Sequence, residues 1–103
     1  MRSSPKLIPV LISFPEAAAR QDGWGRLVDL SGSGAHLSAL LELRRAETVT
    51  LSFEVGGEPF HAVSARVTFV EADHDGYSLA ELRFTDEVEK RRLARTILET
   101  LSR

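Results

Sequence analysis

A carboxylate, a hydroxyl and a glycine fall within six residues, Asp29-Leu30-Ser31-Gly32-Ser33-Gly34, between two apolar stretches. Gly25-Arg26-Leu27-Val28 precedes this run and Ala35-His36-Leu37 follows it. The Asp29 carboxylate can accept hydrogen bonds, the Ser31 hydroxyl can donate or accept, and glycines leave backbone N–H groups open to a ligand. The same residues suit a plain corner, with Asp29 in an Asx-turn and Ser31 in an ST-turn, and the two uses are compatible. Gly34 offers freedom in φ or close approach of backbone. His36 should point opposite to Ala35 and Leu37, outward beside the corner. Ser31, the histidines and the aspartates do not fall in a nucleophile–base–orienter order, so hydrolytic catalysis lacks support and a non-enzymatic role is expected.

Such a corner needs strands to hold it. Leu7–Phe14 is apolar and bounded by Pro5 and Pro15, which reads as a first strand, with Pro9 pointing to an edge position or a bulge. Trp24–Leu30 and Ala35–Leu40 follow on either side of the corner. Thr48–Val55 alternates Val49, Leu51, Phe53 and Val55 with polar residues, a period of two. Gly56-Gly57 makes a tight turn into Phe60–Val70, where Ala65, Val67 and Phe69 share one face. After an Asp73–Gly76 turn comes Tyr77–Phe84, whose alternation does not by itself say which face is inward. The period then becomes helical. Asp86 and Glu89 form a capping box, Leu93, Ile97 and Leu101 line one stripe, and Glu87–Arg91 pairs along the exposed face. The expectation is a mainly β fold, a six-stranded antiparallel barrel with a C-terminal helix packed across one opening. Residues 1–6 would form a flexible arm, 7–84 the barrel and 86–102 the helix, in a single domain of 103 residues.

Composition narrows the function further. A net charge of -2 is unlike the basic excess of a general nucleic-acid binder. With no cysteine, thiol catalysis, disulfides and cysteine-based zinc sites are excluded, which fits a cytoplasmic setting. The apolar start is broken by Pro9 and Ser13 and soon followed by Glu16, so it reads as a strand and not as a leader peptide. No segment is long and apolar enough for membrane insertion. Asp73-His74-Asp75 reads as a turn, and no metal site is expected. Trp24 is as well suited to packing at a barrel rim as to stacking on a base.

The pattern Asp29-x-Ser31-x-x-Gly34 resembles the second signature of the PilZ domain family, a bacterial receptor module for cyclic di-GMP. The resemblance extends along the chain, through the strand order to Gly76–Phe84 and the closing helix. The family's first signature, Arg-x-x-x-Arg, falls on Arg2-Ser3-Ser4-Pro5-Lys6, with lysine at the second place. The resemblance implies that Arg2 and Lys6 clamp guanine edges and phosphates from the arm. It also implies that Asp29 accepts from guanine N1 and N2 or orients an arginine, and that Ser31 and Gly34, with His36 nearby, complete the site. Lysine carries the charge without the planar fork, so weaker binding is expected. The implied function is a noncatalytic cyclic di-GMP receptor and adaptor, needing no cofactor beyond that ligand. It would pass the signal to a protein partner as a monomer or homodimer. The alternative is a degenerate member that serves only as a platform for protein contacts.

Overall fold

The computed structural model describes residues 8–17, 19–72 and 75–101. Six strands precede one helix: β1 (Ile8–Ser13), β2 (Gly23–Leu30), β3 (Gly34–Ala39), β4 (Thr48–Val55), β5 (Glu58–Ala72), β6 (Ser78–Phe84) and α1 (Glu87–Leu101). The strands close into an antiparallel barrel in the order β1-β2-β3-β6-β5-β4, as the alternation and the single helical stripe predict. Closure pairs every strand on both sides, which removes the sheet edges that would otherwise recruit another chain. Pro9 obeys its own chemistry inside that scheme. It sits opposite Arg26 of β2, whereas the β1–β4 ladder begins only at Leu11, so no bond to β4 is asked of its missing N–H.

The core is the barrel interior. Val10, Ile12, Leu37, Val49, Leu51, Phe60, Val63, Val67 and Leu82 are fully enclosed, and no described polar or charged residue is buried. Phe53 stacks on Phe60 at a ring separation of 5.4 Å and faces Phe84 at 6.3 Å, an offset aromatic set within the barrel. On β6 the inward face is Ala80, Leu82 and Phe84, which leaves Leu79, Glu81 and Arg83 outside. The Gly56-Gly57 turn has φ values of 58° and 87°, the doubly left-handed geometry that a two-residue hairpin demands of glycine.

Of three register shifts among the described strands, two alter what simple alternation predicts for the face that carries the corner. The β5–β6 register shifts between Val67 and Phe69, so Val67 pairs inward with Leu82 while Phe69 pairs with Glu81 on the outer face. Phe69 is therefore exposed and does not share the face of Ala65 and Val67. A second shift, between Leu27 and Asp29, turns both Val28 and Asp29 outward. An extra residue in one strand has this effect because side chains alternate with a period of two.

The helix also departs from expectation. Asp86 Oδ1 accepts from the N–H groups of Val88 at 2.9 Å and Glu89 at 3.2 Å, so the aspartate caps the helix. Glu89 does not complete the box; its carboxylate takes Arg92 Nη1 at 3.0 Å. Glu87 pairs with Lys90 and not with Arg91. Of the predicted stripe only Leu93 is buried, at 1% exposure; Ile97 is half-buried, and Leu101 is 77% exposed. The first half of α1 thus closes the barrel while its last turn runs past the apolar rim. Arg92 is the second anchor. Its guanidinium lies 4.1 Å from the Phe60 ring centre and donates to Glu58 at 2.8 Å and to the Pro59 carbonyl, tying α1 to the start of β5.

Candidate functional site

The corner between β2 and β3 is built by its own short-range bonds. Ser31 N–H donates to the Gly34 carbonyl at 2.9 Å, closing the turn. Ser31 Oγ accepts from the N–H groups of Ser33 and Gly34, both at 3.3 Å, which is the ST-turn that the sequence allows. Asp29 forms no Asx-turn; its Oδ1 accepts from the adjacent Leu30 N–H at 3.0 Å, which leaves Oδ2 turned toward His36. Gly32 rests against α1, where a β-carbon would stand 2.8 Å from that of Ala94. Gly34 has a negative φ, so its role is close approach: a β-carbon there would meet the Leu82 carbonyl oxygen at 2.3 Å. The corner is therefore clamped between the helix and β6.

Neighbouring strands add the side chains that sequence spacing does not reveal. His36 stands opposite Asp29 on one side and Glu81 on the other. Its Nε2 lies 3.0 Å from Glu81 Oε2 and its Nδ1 lies 3.6 Å from Asp29 Oδ2. Thr68, the bulged residue of β5, donates to the Glu81 carbonyl at 3.0 Å. Arg83 stands opposite Gly34. Together these groups and Ser33 line a pocket of about 420 Å³ on the outer face of β2, β3 and β6.

Asp29, Ser31, Gly34 and His36, all singled out from the sequence, meet in this pocket. Arg2 and Lys6 lie outside the described residues, as do Asp73 and His74. Ser33, Thr68, Glu81 and Arg83 also line it; the signal available in the sequence was the shared face of Glu81 and Arg83 on one strand. The Ser31 hydroxyl bonds backbone groups and approaches Ser33 Oγ, while the His36 ring bonds the Glu81 carboxylate. Within the described residues no hydroxyl is thus poised by an imidazole as a nucleophile requires. What the pocket offers is recognition: a carboxylate wall for N–H donors, hydroxyls of either polarity, and a guanidinium.

Farther along the same outer face, Trp24, Arg26, Ser38, Leu40 and Tyr77 border a second cleft of about 330 Å³. Trp24 is 66% exposed, so it contributes to the surface and not to rim packing. Among the described residues no helix is long and apolar enough to cross a membrane, and no cluster of His, Asp and Glu suits a metal ion.

A six-stranded closed barrel capped by a helix, with a polar corner on its outer face, defines a class of small β-barrel domain. Residues 1–99 match the family model described as PilZ domain, and the chain belongs to that family. No curated protein matches the chain. Among solved structures, it is similar to the PilZ domain with c-di-GMP of YcgR from Escherichia coli. That match has a TM-score of 0.70 and 18% identity, over 93% of this chain and 82% of the other. It is also similar to YcgR in complex with c-di-GMP from Escherichia coli, with a TM-score of 0.69 and 19% identity. There the match takes in 95% of this chain but 42% of the YcgR chain.

Proposed function

We propose that this chain is a noncatalytic receptor module for cyclic di-GMP and that it relays ligand binding to a protein partner. The observation that carries the reading is the convergence of Asp29, Ser31 and Gly34, the three fixed positions of the second PilZ signature, on one pocket wall. Membership of the PilZ family and the fold shared with ligand-bound YcgR support it. In this reading the Asp29 carboxylate accepts from guanine N1 and N2, and Ser31 presents its hydroxyl to the base or phosphate. Gly34 keeps β3 and β6 close enough for Glu81 and Arg83 to border the same space.

Arg2 and Lys6 are the proposed cationic clamp. Ile8 pairs with Leu27, two positions before Asp29, so the chain enters the barrel beside the corner. Lys6 precedes Ile8 by two residues, which limits their Cα separation to about 7 Å. An arm joined there can reach over the pocket, and its fit to ligand would change the surface shown to a partner. Lysine in place of the second arginine retains charge but loses bidentate geometry, which favours weak affinity.

Calorimetric titration of the chain with cyclic di-GMP tests the reading. Saturable binding that Asp29→Ala abolishes supports it. If neither the wild type nor Lys6→Arg takes up ligand, the receptor function fails and the domain is a protein-interaction platform.

A further inference from the structure

Arg66 of β5 and Arg83 of β6 stand directly opposite one another across the ladder, both exposed on the outer face. Like charges in that position repel and weaken a sheet. Among the described residues neither guanidinium has a hydrogen bond or an ion pair to offset the repulsion. The carboxylate nearest along the strand, Glu81, is engaged by His36 and Thr68. The other cross-strand neighbour of Arg83 is Gly34, which has no side chain to cover it, and that of Arg66 is Thr48, which brings no charge. Two uncompensated cations are therefore held side by side, with Arg83 opening onto the pocket beside Ser33 and Gly34.

The pocket is electrically divided. Asp29 and Glu81, on either side of His36, make one wall acidic, and Arg83 backed by Arg66 makes the other basic. A ligand matched to this division carries N–H donors at one end and an anionic oxygen cluster at the other. We infer that Arg66 and Arg83 form a phosphate seat, in which a phosphodiester is gripped by two guanidinium groups while Asp29 takes the base. The inference rests on the cyclic di-GMP reading for its ligand but on the facing arginines for its site. Planar forks suit phosphate oxygens, and bringing an anion between them converts their repulsion into shared attraction.

The test compares wild type, Arg66→Gln, Arg83→Gln and the double variant in cyclic di-GMP calorimetry at two salt concentrations, alongside thermal melts without ligand. Each single variant should bind about tenfold or more weakly, as expected for loss of a charged hydrogen bond, with a shallower salt dependence. Its ligand-free melting temperature should be unchanged or higher, because the repulsion is gone. Variants that bind like wild type with the same salt dependence overturn the seat, as do losses that merely follow a lower melting temperature. If wild type itself binds no cyclic di-GMP, the receptor reading fails separately, and the seat is judged with inorganic pyrophosphate. Arginine Nε–H resonances of Arg66 and Arg83 should then shift together on titration in wild type, and the Arg83 shift should need about tenfold or more pyrophosphate in Arg66→Gln, as expected for loss of a charged hydrogen bond. Absence of those shifts overturns the inference.

Discussion

Gly34 and Leu82 approach so closely across β3 and β6 that a β-carbon on Gly34 would stand 2.3 Å from the Leu82 carbonyl oxygen. No flexible side chain can yield there, because the obstructing atom is backbone. Gly34→Ala should therefore force the two strands apart and cost about 1–3 kcal/mol, the usual penalty of overpacking. Urea denaturation measures it. The same change should weaken ligand binding, since the corner and Arg83 would separate.

The helix is anchored unevenly. Leu93→Ala should destabilise the fold by about 2–5 kcal/mol, as truncation of a fully enclosed leucine does. Leu101→Ala should stay within about 0.5 kcal/mol of wild type, the range of exposed substitutions. Equal losses at both positions in denaturant melts would mean that the whole stripe is packed.

Arg92 tethers α1 from outside the core. Its hydrogen bond to Glu58, together with Glu89, holds its guanidinium above the ordinary arginine pKa, against a partial loss of solvation. A raised folded-state value means that the stabilisation is fully present below the ordinary arginine pKa and is lost only as pH climbs beyond it. The difference in stability between wild type and Arg92→Ala should thus owe nothing to arginine titration between about pH 6 and pH 9, far below arginine's range. It should amount to about 1 kcal/mol, the sum of a stacked cation and exposed ion pairs. A difference that collapses within that interval in parallel melts would place the tether elsewhere.

Most of the fold was legible because local signals agreed with the final structure. Thr48–Val55 alternates without interruption and forms β4 with those bounds, and Asp86 caps the helix. Phe69 was misread because a bulge changes facing by one residue while the sequence continues to alternate. Leu101 was misread, although Ile97 does pack partly buried against the core, because helical periodicity reports which residues share a face, but not how far the barrel rim extends beneath them. The corner residues lie within one short run and could be named from the sequence. Glu81, Arg83 and Thr68 reach the pocket only through the pairing of β3, β5 and β6, and cross-strand register is not written locally.

Asp29 presents its carboxylate to the pocket with one oxygen toward His36. The most direct measurement is calorimetric titration of wild type, Asp29→Ala and Lys6→Arg with cyclic di-GMP under identical salt conditions. Wild type should bind saturably, Asp29→Ala should not bind, and Lys6→Arg should bind more tightly through restoration of the planar fork. Binding that survives Asp29→Ala unchanged would put the ligand somewhere other than this corner and overturn the role of Asp29.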